Sequence, residues 1–172
     1  MSDLGTSRNS NTNDLELVSF RLGNQVFGVP VSGVQEVVPE QPLARIPRSH
    51  PALAGLLNLR GQIVTAVDLR NRLGVALEPR AEAPMNIVVS DRGELFSLVV
   101  DSVGDVLQVP EERFEGVPGT LHGKMKEVCR GVCKLDSGLV MVVDVSAILD
   151  FGIDRALEKS ADHASFNSIK KN

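Results

Sequence analysis

The sequence predicts an all-β fold, two small closed five-stranded β-barrels produced by internal duplication, each finished by a short capping helix. Three observations predict it. The 172 residues include no Trp, no Tyr and only 6 Phe, so the core material is Val and Leu, and Val is stiff at χ1 and packs well on a pleated surface. Short apolar runs are separated by Gly-containing turns, as hairpins require. The same order of runs and turns then occurs a second time.

Residues 1–14 are rich in Ser, Thr, Asn and Asp. They carry too little apolar surface to offset ordering entropy, which predicts a mobile tail. Leu15 to Leu22 alternates loosely, Gly23-Asn24 supplies a turn, and Val26 to Val31 follows as a second strand. Pro30 lacks a ladder donor and suits a strand end. Val31 to Val38 fits either a helical turn leading into a strand or a strand throughout. Pro39, Pro42, Pro47 and Pro51 punctuate an extended connection, in which Ser49-His50-Pro51 predicts the start of a helical turn.

Gly55 to Gly74 reads as strand, tight turn, strand and short helix. Gly61 reaches positive φ at little steric cost, so the chain reverses at Arg60-Gly61. Asp68 suits a helix N-cap, Leu69 and Leu73 share one face of a single turn, and Gly74 fits the residue after it. A polar linker follows at 79–84. The predicted organisation is a tail at 1–14, a first barrel at 15–78, the linker, a second barrel at 85–152 and a C-terminal helix or tail at 153–172. Exchange of strands between the barrels is left open.

The second half follows the first. Phe96, Val100, Val103 and Val106 repeat Phe27, Val31, Val34 and Val37 at a constant offset of 69 residues. The Gly55 stretch recurs from Gly131 at an offset of 76, matching Ile63 to Leu139, Val64 to Val140, Val67 to Val143, Asp68 to Asp144 and Leu73 to Leu149. The second copy therefore has a longer inner connection, around Pro110 to Met125. In both copies Asp caps a short apolar helix that ends near a glycine, Gly74 or Gly152. Two matched blocks in the same order mark a duplication of a β-rich unit of about 60 residues, too small to bury enough surface alone. The two units should share an interface.

Charge and composition exclude several functions. A formal net charge of −4 opposes nonspecific binding to nucleic acid or anionic membranes. Without Trp or Tyr, stacking platforms for single strands are scarce. No apolar run approaches the roughly 20 residues that span a bilayer, and Met1 to Asp14 lacks the apolar core of a secretory signal, so the expected location is cytoplasmic, with no direct membrane insertion. Cys129 and Cys133 read as small buried hydrophobes, because His122 alone cannot complete a zinc site with them. His50, His122 and His163 have no partners at catalytic spacing. Asp68 and Asp144 read as caps, and Glu111, Glu112 and Glu115 as a solvated turn. No enzyme, metal or cofactor is predicted. Asn58, Arg60 and Gln62 do not follow from core packing; Asn58, Arg60 and Gly61 are particular to the first copy, and Asp136 stands in the second where Arg60 stands in the first. Arg60 is then either a turn residue or a partner contact, since Arg offers planar, multidentate contacts.

The run from Gly55 to Arg70, with its Asn-Leu-Arg-Gly core at 58–61 and Asp-Leu-Arg at 68–70, resembles the CheW family of bacterial chemotaxis coupling proteins. Phe27 to Val31, Val34 to Val37, and Leu98 to Val103 with Asp105 to Leu107 extend the resemblance from about Leu17 to Leu149. It implies two SH3-like barrels packed on each other and no catalytic activity. It also implies partners: the cytoplasmic tip of chemoreceptors, near the barrel junction, and the regulatory domain of a CheA-type histidine kinase, in rings built by pseudo-symmetric barrel contacts. By matching position it offers Val34, Glu36, Gly55, Asn58 and Arg60, with Val106 and Gly131 in the second barrel, as residues that touch a partner or shape the contact surface. Thr65, Ala54 and Ser97 depart from common family residues, which bears on partner choice more than on fold. An adaptor for a pilus or other non-flagellar output, and a small-molecule sensor using the groove between the barrels, are the competing readings.

Overall fold

A computed structural model describes residues 13–151. Gly152, His163 and the C-terminal segment at 153–172 lie outside the described residues, as does most of the N-terminal tail. Strands β1 (Leu15–Leu22) and β2 (Gln25–Pro30) form an antiparallel hairpin that turns at Gly23, φ 60°. After Pro30 the chain makes a 3-10 turn, Val31–Gly33, and continues as β3 (Val34–Pro39). The apolar run after Pro30 is thus a helical turn followed by a strand. Ser49 starts no helix. Its Oγ donates back to Ile46 O (2.9 Å) and His50 Nδ1 accepts from Ala52 N–H (3.0 Å), so these side chains stabilise a turn instead.

Strands β4 (Leu53–Leu59) and β5 (Gln62–Asp68) lead into helix α1 (Leu69–Leu73). Asp68 Oδ1 accepts from Arg70 N–H (3.0 Å), and Gly74 ends the helix at φ 72°. The second half comprises β6 (Met85–Asp91), β7 (Glu94–Val100), β8 (Ser102–Val109), β9 (Phe114–Glu115), helix α2 (Gly123–Val128), β10 (Cys129–Leu135), β11 (Gly138–Val143) and helix α3 (Val145–Leu149). Asp144 caps α3 by accepting from Ala147 N–H (3.2 Å). Strands β4 and β10, and helices α1 and α3, begin 76 residues apart, as the repeat requires.

Neither sheet is built from one contiguous half of the chain. One has six strands in the order β8-β1-β2-β11-β10-β9, and the other five in the order β3-β6-β7-β5-β4. Each copy's first hairpin has left its own unit and joined the other. The exchange is reciprocal: β1 pairs antiparallel with β8 as β6 pairs with β3, and β2 pairs parallel with β11 as β7 pairs with β5. The ranges 15–78 and 85–152 therefore delimit repeats, not sheets. Pro30 ends β2 on the first side, because proline cannot donate to a continuing ladder.

The largest apolar cluster lies between the sheets and draws on both repeats, with Phe20, Phe27, Val67, Leu69, Ile87, Leu98, Val143 and Ile148 fully or almost fully buried. Each barrel has a smaller interior of its own: Leu57, Val64, Ala66 and Val99 in one, and Leu17, Val109, Cys133, Val140 and Val142 in the other. Repeat-equivalent positions fill these interiors differently. Leu17 sits against Gly28, where a Cβ would stand 2.9 Å from Leu17 Cδ1. The equivalent pair is polar: Ser97 Oγ donates to Asn86 Oδ1 (2.9 Å) and Asn86 Nδ2 donates to Pro39 O (3.2 Å). A buried hydroxyl and amide are tolerated because each has a partner, which accounts for Ser97.

Two arginines tie the halves together. Buried Arg70 donates to both oxygens of Asp101, with Nε–Oδ1 at 2.7 Å, and to Glu78 O. Asp101 also accepts from Gly23 N–H (2.7 Å) and Arg80 Nε (2.9 Å). Burial raises the Asp101 pKa, but the hydrogen bonds from Arg70, Gly23 and Arg80 outweigh it and hold it at about 2. Arg72 donates to Ile148 O (2.8 Å) and Ala147 O (2.9 Å), carbonyls at the end of α3, and Ala147 O also accepts from Asp150 N–H (3.3 Å).

Candidate partner-binding surface

The β4–β5 hairpin is built by its two tip residues. Arg60 and Gly61 both have positive φ, 54° and 84°, which is a type I′ turn and matches the twist of the flanking strands. Asn58 Oδ1 accepts from Gly61 N–H (2.8 Å) and closes the turn. Arg60 Nη2 donates to Glu36 Oε2 on β3 (2.6 Å), so the tip is clamped to the neighbouring edge strand. Asn58, Arg60, Gly61 and Glu36 thus come together at one corner of the five-stranded barrel. Val34 lies on the same strand as Glu36, half-buried against the inter-sheet core. Val106 stands on the six-stranded sheet, exposed on β8.

Gly55 and Gly131 are buried and offer no surface. They are repeat equivalents with the same physical job. Each sits at an irregularity in its hairpin register, and each lies under a crossing backbone. A Cβ on Gly55 would meet Ala44 O at 2.5 Å, and one on Gly131 would meet Glu115 O at 2.3 Å. They shape the barrels, since a side chain at either position would collide with the crossing backbone.

Three apolar residues of this surface are missed by sequence reasoning. Ile63 is 63% exposed and its repeat equivalent Leu139 is 64% exposed; Val37 is 38% exposed and its equivalent Val106 is 60% exposed. Large aliphatic side chains left in water at matched positions of two copies are not explained by packing. The repeat alignment carries the signal, since it pairs Ile63 with Leu139 and Val37 with Val106. The hairpin tips beside them differ in sign. Where Arg60 reaches Glu36, Asp136 at the β10–β11 tip accepts from Arg113 Nη1 (3.1 Å).

No group of His, Cys, Asp and Glu among the described residues has the geometry of a metal site. Cys129 and Cys133 are free and buried, and burial pushes both thiols above their ordinary pKa. His50 edges onto Phe151, with ring centroids 4.7 Å apart. Burial, Arg72 and Lys124 together lower its pKa. Glu115 pairs with Lys134 (3.1 Å). A shared cluster of buried apolar residues lies between the sheets. No helix among the described residues is long and apolar enough to cross a membrane.

The CheW-like domain pattern matches residues 16–151. A probable chemotaxis protein CheW of Rhizobium etli is 30% identical over 138 residues, covering 80% of this chain and 89% of that protein. Protein PilI of Pseudomonas aeruginosa is 27% identical over 115 residues, 67% of this chain and 65% of that protein. The crystal structure of scaffolding protein TtCheW from Thermoanaerobacter tengcongensis superposes with a TM-score of 0.74 at 25% identity, covering 80% of this chain and 94% of that one. With the duplicated double barrel, the Asn-Leu-Arg-Gly hairpin and these matches in hand, the chain belongs to the CheW family.

Proposed function

We propose that this protein is a non-enzymatic adaptor that couples the cytoplasmic tips of chemoreceptors to the regulatory domain of a CheA-type histidine kinase. It acts in the cytoplasm, at membrane receptor arrays reached through its partners. The observation that carries the reading is the exposure of repeat-equivalent aliphatic residues at the sheet edges and hairpins, Val37 and Ile63 on one barrel and Val106 and Leu139 on the other. Two equivalent edges on one rigid body suit a scaffold that contacts two neighbours at once. The tips, Arg60 at one and Asp136 at the other, give the edges different charge, so the neighbours need not be the same.

The test is pull-down of the host's kinase regulatory domain and receptor cytoplasmic fragment by Ile63→Glu and Leu139→Glu. Both side chains are exposed, so both variants should fold. Each should lose recovery of at least one partner, because a desolvated carboxylate at an interface centre is costly. Wild-type recovery of both partners by both variants refutes the assignment of these edges. Similarity to PilI supports a second reading, the same adaptor chemistry in a system with another output, such as pili. The identity of the kinase that co-purifies from the native host distinguishes the two.

A further inference from the structure

The two barrels close differently at one end, and the repeat shows where. Ala44 exchanges two backbone hydrogen bonds with Leu56 (2.8 Å each), and Glu115 pairs with Val132, the residue 76 positions after Leu56. Leu43 therefore stands where Phe114 stands in the second copy. At the offset of 69 residues, Glu40 stands for Val109 and Pro84 for Leu15. In the six-stranded barrel Val109 is fully buried, and Phe114 and Leu15 pack against the same apolar interior. In the five-stranded barrel the three equivalents leave that end open. Leu43 is 38% exposed, and Glu40, Leu43 and Pro84 line a cleft of about 830 Å³ together with Ile46, Leu53 and Val99. Aliphatic side chains lining an open cleft are a place for another apolar group.

The rim of the cleft points to the occupant. Phe151, the last described residue, stands edge-on to His50, with ring centroids 4.7 Å apart, and 5.1 Å from the Arg72 guanidinium. His50 itself lines the cleft. The chain therefore leaves the described fold beside this opening. Residues 152–172 follow, and they hold Phe166, the one phenylalanine outside the described residues. Fifteen residues separate Phe151 from Phe166. Extended, they reach about 50 Å, and as a helix about 22 Å, so either form reaches into the cleft. One ring takes only part of the volume, so a stretch of chain suits the cleft better than a single side chain. Charge permits it. The cleft carries Glu40 and Asp68 with Arg45 and Arg80, and the segment carries four Lys or Arg with three Asp or Glu, so neither sign dominates on either side.

We propose that segment 152–172 lies in this cleft, with the Phe166 ring against Leu43, Leu53 and Val99, where it does for the first barrel what Phe114 does for the second. The test is solution NMR on the full chain. The expected result in the wild type is nuclear Overhauser contacts from the Phe166 ring to the methyl groups of Leu43, Leu53 and Val99, and a backbone order parameter at Phe166 above about 0.6. Phe166→Ala should move the amide resonances of Leu43, Ala54 and Val99 and leave those of Val106 and Leu139 in place. Leu43→Glu sets a charge in the cleft at an exposed position, so the fold should persist while the order parameter at Phe166 falls below about 0.6. Wild-type Phe166 below that value, ring contacts elsewhere, or no movement of the three cleft amides in Phe166→Ala overturns the proposal. So does an unchanged order parameter in Leu43→Glu. Contacts that disappear on dilution place the segment on a second copy and overturn it as well.

Discussion

Arg60 occupies a left-handed turn position that glycine would fill without strain, and the energetics of replacing it decide whether it serves the fold or a partner. Its φ of 54° costs an L-residue roughly 1–2 kcal/mol relative to glycine. Its ion pair with Glu36 returns little. The Arg60 side chain is 77% exposed, and such pairs contribute about 0.2–1 kcal/mol. Glycine at this site also loosens the unfolded chain, by about 0.4–1 kcal/mol. In Arg60→Gly these contributions cancel to within about 1 kcal/mol, so stability should hardly change. Binding should fall by about tenfold or more, since removing an interface Arg commonly costs more than about 1–2 kcal/mol.

The charge swap Glu36→Arg with Arg60→Glu sharpens the test. It keeps an ion pair across the same gap while reversing the charge that faces outward. Urea unfolding measures stability, and titration against the kinase regulatory domain and the receptor fragment measures binding. If the swap restores wild-type binding while Arg60→Glu alone abolishes it, Arg60 acts only as a clamp on β3. If Arg60→Gly loses more than about 2 kcal/mol of stability, the residue is structural and the cancellation above is wrong.

Two further perturbations bear on the scaffold. Gly131→Ala forces a methyl group into the backbone of Glu115 and the ring of Phe114, and should lower stability by about 1–3 kcal/mol in urea unfolding; a cost below about 0.5 kcal/mol would show that β9 moves aside freely. Asp101 has a folded pKa of about 2 against about 3.9 unfolded. Its charged form is therefore favoured by the fold, and its contribution of about 2.5 kcal/mol is present above pH 4 and lost as pH falls from about 4 to 2. The wild-type stability advantage over Asp101→Asn should shrink across that window; an advantage independent of pH refutes the assignment.

The local features of this chain were legible because they depend on neighbours in sequence. Asp68 and Asp144 cap their helices through N–H groups two and three residues on, and Arg60-Gly61 turns because of two backbone angles. The duplication was legible because both copies keep the same order of blocks and the same spacing within each block. The exchange of hairpins was not, since strand periodicity encodes which face is buried and says nothing about which strand lies alongside. Pro30 marks an exit from β2 without a destination. Ile63 and Leu139 read as core for the same reason: an aliphatic residue in a strand is normally inside, and only closure of the barrel shows these two outside. The steric need for glycine at 55 and 131 was not legible, because the crossing carbonyls of Ala44 and Glu115 come from segments distant in sequence. Arg80 sits in a polar linker, where nothing local signals its contact with Asp101.

The reciprocal exchange has a mechanical consequence for an adaptor. Separating the two repeats would require β1 and β2 to leave β8 and β11, and β6 and β7 to leave β3 and β5. It would also expose the largest apolar cluster and unpair Arg72 from the end of α3. Each fully buried large aliphatic or aromatic residue in that cluster contributes about 1.5–3 kcal/mol, so opening the interface costs as much as unfolding. The two apolar edges are consequently held at one fixed geometry. A scaffold built this way passes on its neighbours' positions and has little freedom to bend between them. Signal transfer through such a body must then come from motion of the partners or of the contacts at its edges, and not from a hinge between its barrels.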